Sequence, residues 1–105
     1  MSYSIFIVSK DNSKKDIPFS TNKNYDQIIL PIAEKLLLPM IMEIQYGITI
    51  NHESELVEFI NEIKDIKKSK LITSSDRYNS DRIDFLISEL EDIQQKNEYK
   101  SIDIG

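Results

Sequence analysis

One histidine, a knot of arginine and aspartate, and a run of carboxylates are the side chains in this 105-residue chain that could do chemistry. His52 stands beside Glu53, a pairing that in another setting moves protons. Adjacent residues at a helix start point in different directions, however, and one histidine cannot build a multi-histidine metal site. The expectation for His52 is a residue at a helix entrance. Asp76, Arg77, Tyr78, Asp81 and Arg82 form the densest polar group. An arginine with a carboxylate can orient phosphate or water. Without a metal motif or a nucleophile, the simpler reading is that Asp76 starts a helix and Arg77 pairs with Asp81 at i+4, worth about 0.2–0.5 kcal/mol.

Other chemistries lack their parts. There is no cysteine, so no thiolate nucleophile, disulfide or Cys-ligated metal. The only glycines are Gly47 and Gly105, so a phosphate-cradling glycine loop cannot form. No serine sits in a nucleophile-elbow context. The expectation is a protein that is not an enzyme and uses no cofactor and no metal.

The carboxylates are the stronger signal. Residues 53–105 carry 13 acids against 8 bases, whereas residues 1–52 hold 5 of each, and the net charge is −5. That balance argues against nucleic acid as a partner, because affinity for phosphate comes mainly from clustered Lys and Arg. Lys14-Lys15 and Lys67-Lys68 with Lys70 are small clusters, the second at a helix end where cations oppose the dipole.

The acids lie on two stretches with helical periodicity. In 53–68, Leu56, Phe59, Ile60, Ile63 and Ile66 make an apolar face. Glu55, Glu58, Glu62 and Asp65 form a stripe beside it. In 81–96, Ile83, Leu86, Ile87, Leu90 and Ile93 make the apolar face, with Asp81, Asp84, Glu91 and Asp92 roughly opposite and Glu89 at the edge. Acids in a first turn gain about 0.3–1 kcal/mol from the helix dipole, which accounts for Glu53, Glu55, Asp81 and Asp84. Glu62, Glu91 and in part Asp65 lie too far along, and Glu58 and Glu62 repel at i+4 at a cost of about 0.2–0.5 kcal/mol. Those late acids call for another explanation. Phe85 falls off the apolar stripe toward Asp81, Glu89 and Asp92, so it is either an aromatic anchor ringed by acid or a core residue covered by another element. The candidate partner-binding residues are therefore Glu58, Glu62, Asp65, Phe85 and Glu91. If they are not the contact surface, the polar stretch 10–24 or residues 76–82 would be.

The remaining elements follow from pattern. Residues 2–9 read as a strand whose continuous Ile5-Phe6-Ile7-Val8 run predicts burial on both faces. A short strand over 16–19 is possible within the polar stretch that follows. Residues 25–38 read as helix interrupted at Pro31, with a second helix restarting there and ending before Pro39. Residues 42–50 alternate about Gly47 and predict a strand, with a bulge at the glycine. Residues 71–73 form a short strand or an extended connection, 74–80 are cap-rich, and 99–104 close the chain as a strand. The result is one domain, α/β or α+β, with a three- to four-stranded sheet and three to four helices. Its start lacks the features of a signal peptide and no run reaches a membrane span, so a cytoplasmic location is expected.

The stretch EIQYGITINHESELVEFINEIKDI, residues 43–66, reads as a strand running into an acid-striped helix within a small acidic protein. In this it resembles bacterial toxin-immunity proteins, nearest to those of contact-dependent growth inhibition systems. These proteins share no diagnostic motif, so the resemblance carries over no residue role. It implies an antitoxin: a stoichiometric inhibitor whose acidic face covers the active site of a basic toxin domain, often a nuclease such as an RNase, through protein–protein interaction. A monomer is the expected free state. The alternative is a small homo-oligomeric or regulatory interaction module without a toxin partner. The 17-residue apolar stretch 28–44 (IILPIAEKLLLPMIMEI) would supply its contact.

Overall fold

The N-terminal strand β1 (Ser2–Ser9) folds back through a tight turn onto β2 (Lys14–Thr21). Asn12 supplies the left-handed residue of that turn (φ 67°), a conformation Asn tolerates better than most residues. The Asp11 carboxylate fixes the turn by accepting from Ser13 N–H (2.9 Å) and Oγ–H (2.7 Å). The second strand is thus eight residues long, where a short piece around 16–19 was expected. Strand β3 (Ile48–Ile50) and strand β4 (Tyr99–Ile104) complete an all-antiparallel sheet in the order β2-β1-β4-β3. The chain's last strand therefore sits inside the sheet, between its first strand and the short β3. The architecture is α+β, described over residues 2–105 of a computed structural model.

All helices pack against one face of this sheet. Ile5, Ile7, Ile17, Phe19, Ile50, Ile102 and Ile104 point into it and are buried. The opposite face is open, and Phe6, in the middle of β1, remains 45% exposed. The expectation that β1 is buried on both faces is therefore corrected. A four-residue apolar run was read as two covered faces, whereas an antiparallel sheet can leave one face to solvent.

Residues 22–36 form one helix, α1, built from a turn at Asn22–Asn24, a π-helical turn at Tyr25–Ile29 and an α-helical segment at Leu30–Leu36. As expected, an α-helical segment starts at Leu30 with Pro31 in its first turn and ends before Pro39, but it follows the π-helical turn without a break. In the widened turn the Leu30 N–H reaches back to the Tyr25 carbonyl, five residues away. That wider register relieves the clash a proline ring makes with the carbonyl four residues before it. Tyr25 is fully buried, edge-on to Tyr3, and its hydroxyl donates to the Ile41 (2.5 Å) and Met42 (3.2 Å) carbonyls.

Helix α1 ends where Leu37 turns left-handed (φ 57°) and Leu38 N–H bonds the Ala33 carbonyl at 2.9 Å. Pro39 then opens a second helix, α2 (Pro39–Glu43), which runs into a 3₁₀ turn at Ile44–Tyr46. The strand expected over 42–50 is thus reduced to Ile48–Ile50, and Gly47 (φ 84°) ends the 3₁₀ turn in place of a bulge. Proline favours the first helical turn, and Ile41 and Ile44, both fully buried, are three apart, a spacing that shares a helix face but would fall on opposite faces of a strand. Of the apolar stretch 28–44, Ile29, Ile32, Ala33, Leu38, Ile41 and Ile44 enter the core, and Leu37 is the large side chain left mostly exposed.

The two long helices are α3 (Glu53–Ser69) and α4 (Arg77–Lys96), joined by a connection without a strand at 71–73. Helix α4 begins four residues before Asp81, because the Asp76 side chain accepts from Asn79 N–H and caps it there. Both helices bury the apolar stripes their periodicity predicts, with Ile87 and Ile93 at the margin. The Cα radius of gyration, 13.2 Å, matches the roughly 13 Å of one compact domain of this length. Among the described residues no helix is long and apolar enough to cross a membrane.

Candidate functional site

The acid stripe of α3 divides into two kinds of carboxylate. Glu55 turns back to the helix entrance and accepts from the Asn51 (3.1 Å) and His52 (3.0 Å) backbone N–H groups. Those bonds hold its carboxyl below the usual range. This is capping, and it is also the local environment of His52, an exposed residue at a helix entrance. Glu62 is the surprise: it retains only 8% exposure. Its Oε1 accepts from Ile41 N–H at 3.0 Å and its Oε2 from Met40 N–H at 3.2 Å. Those N–H groups lie in the first turn of α2, which has no side-chain cap of its own. A carboxylate from 21 residues further along the chain supplies the missing acceptors.

Glu62 therefore leaves the set of candidate partner contacts. Its oxygens face inward and are engaged. Burial pushes its pKa up and Glu58 and Asp65 add to the rise, while the two backbone donors oppose it. Glu58 and Asp65 remain fully on the surface, and neither takes part in an ion pair among the described residues. They flank Glu62 as a ridge of like charge along α3.

The acids of α4 have a different setting. Lys64 reaches Glu91 at 3.1 Å and Lys67 reaches Asp84 at 2.7 Å, both across the α3–α4 seam. Lys15 of β2 meets Glu89 at 3.4 Å, and Lys96 meets Asp92 at 3.1 Å at the i,i+4 spacing the sequence suggests. Each pair is solvent-exposed and worth about 0–1 kcal/mol. Their weight is in position: Glu91, a candidate contact, already faces a lysine of its own chain. Phe85 keeps 43% exposure and lies outside the core, with the Arg82 guanidinium 5.3 Å from its ring centre.

The Asp76–Arg82 group is structural. Asp76 also accepts from Asn79 Nδ2 at 2.7 Å, and Asn79 exchanges two amide bonds with Asn24 of α1, at 2.8 and 3.0 Å. Buried Asn79 thereby ties α4 to α1, a role no sequence spacing announces. Arg77 does not pair with Asp81 among the described residues, and Arg82 donates to the Pro18 carbonyl at 3.3 Å. No group of three or more His, Cys, Asp or Glu among the described residues is arranged to hold a metal. Of the five candidate contacts, α3 thus presents Glu58 and Asp65 together, Glu91 and Phe85 lie on α4, and Glu62 is internal. Comparison with family models, curated proteins and solved structures finds no match.

Proposed function

We propose that this protein is a non-catalytic inhibitor, an immunity protein that binds a basic toxin domain in the bacterial cytoplasm and covers its active site. The observation that carries this reading is the ridge on α3. Glu58 and Asp65 stand beside the anchored Glu62, near enough to raise its pKa, and among the described residues neither takes part in an ion pair. Like charges gathered without compensation cost stability, and a cationic partner turns that cost into affinity and encounter rate. A nuclease such as an RNase suits this surface, since its active site must be cationic to hold phosphate. The net charge of −5 draws such a partner at long range.

The test is to purify the chain with the toxin-like domain encoded beside its gene. A one-to-one complex that suppresses the toxin's cleavage of RNA and associates more slowly as salt rises is the expected result. A genomic neighbourhood without a toxin-like gene, or two proteins that stay separate at low salt, would sink the proposal.

A further inference from the structure

The open face of the sheet carries a second acidic feature, built around an aromatic. Phe6 lies in β1 with Asp16 of β2 directly opposite on one side and Asp103 of β4 directly opposite on the other. Directly paired residues share a sheet face, with Cβ atoms about 4.5–5.5 Å apart. The ring is therefore bracketed by two carboxylates. Both are exposed, and neither joins an ion pair among the described residues. Thr49 of β3 donates to the Asp103 carboxylate at 2.7 Å and steadies it. Beyond Asp103, Phe6 and the 78%-exposed Tyr46 line one shallow concavity with Gly47 and Thr49. Lys14 is on the same face, opposite Val8 and diagonal to Phe6, and joins no ion pair among the described residues.

We infer that this face docks an arginine side chain of the basic partner, its guanidinium lying on the Phe6 ring between Asp16 and Asp103. The planar guanidinium stacks on an aromatic and offers N–H donors at its edges, and the carboxylates stand at those edges. Other occupants fit less well. A second copy set face to face would crowd four carboxylates around two rings. A nucleic acid or an anionic membrane would meet the same repulsion. The inference rests on the proposed reading of a basic protein partner and adds a second contact to it, on the side of the sheet away from the helices.

Two measurements separate this inference from that reading. In the first, a blocked Gly-Arg-Gly peptide is titrated into the isotopically labelled full chain and followed by NMR. Saturable shifts centred on Phe6, Asp16 and Asp103 are expected, with the matching Gly-Lys-Gly peptide weaker. Phe6→Leu keeps apolar bulk but loses the π face, and should weaken binding about fivefold. Asp16→Asn with Asp103→Asn should weaken it further. All three positions are exposed, so the variants are expected to fold. Shifts confined to α3, or binding indifferent to Phe6→Leu, would overturn the inference. In the second, the chain is titrated with the neighbouring toxin domain. If the wild type binds and Phe6→Ala binds equally well, the docking site fails while the immunity reading stands. If the wild type ignores the toxin but the peptide still saturates at Phe6, the immunity reading fails while the arginine site stands.

Discussion

Helices α3 and α4 carry acid in similar amounts, yet the fold treats the two sets in opposite ways. On α3, Glu55 and Glu62 are spent on backbone N–H groups, and Glu58 and Asp65 join no ion pair among the described residues. On α4, Asp84, Glu89, Glu91 and Asp92 each meet a lysine. An acid count along a helix therefore does not measure the charge that helix offers. What counts is which neighbours the tertiary structure brings alongside, and whether they are backbone donors, lysines or solvent.

The most severe way to test the contrast is to remove its buried member. Glu62→Ala strands the Met40 and Ile41 N–H groups and is expected to cost about 2–4 kcal/mol in denaturant unfolding. Glu62→Gln, which keeps one acceptor oxygen, should lose roughly half as much. If Glu62→Ala unfolds like the wild type, the carboxylate is an ordinary surface acid and the division of α3 collapses.

Tyr25→Phe probes the other support of the same short helix α2, since the hydroxyl donates to the Ile41 and Met42 carbonyls. A loss of about 1 kcal/mol is expected. Burial pushes the Tyr25 pKa up to about 12, so its neutral form is favoured in the folded chain. The stability it contributes is full below its ordinary value of 10.0 and is lost as pH rises through the folded value. Ultraviolet titration should find Tyr25 ionising late and together with unfolding, with Tyr99, which burial also pushes up, later than the exposed tyrosines.

Next in size is the charge contrast. Glu58→Ala with Asp65→Ala is expected to leave stability within about 0.5 kcal/mol of the wild type. The same change should slow association with a basic partner and flatten its salt dependence. A double-mutant cycle on Lys64 and Glu91 should return about 0.2–1 kcal/mol, the usual range for an exposed pair. A coupling well above that would mean the seam between α3 and α4 is a structural device.

The smallest effect is in titration, and its sign differs within one helix. Glu62 holds its proton above the ordinary 4.5, so the proton-linked part of its contribution to stability is full below that pH and is lost as pH rises through its folded value. Glu55 is shifted down by its two backbone donors, so its contribution is present above 4.5 and is lost as pH falls through its folded value. Carboxyl NMR titration should show the two moving apart, and coincident midpoints would refute the assignment.

Local pattern alone determined much of this protein. The alternation of Tyr99–Ile104 and the helical stripes beginning at Leu56 and Ile83 are each a statement about which side of an element is apolar, and the fold buries those sides. Asp76 and His52 marked helix entrances, and the capping there acts within a few residues. Tertiary structure decided what depends on distant neighbours. Pro31 passes inside a helix because a π turn precedes it, and residues 39–46 are helical with their first turn capped by Glu62. Phe6 stays 45% exposed on the sheet face away from the buried side chains of Ile5 and Ile7, a fact those apolar neighbours could not signal. The charge surface was the least legible part. A carboxylate's spacing places it on a face, but its energy depends on donors and cations from other segments, such as Ile41 for Glu62 and Lys64 for Glu91. Periodicity is a property of one element, whereas electrostatic partnership is a property of two.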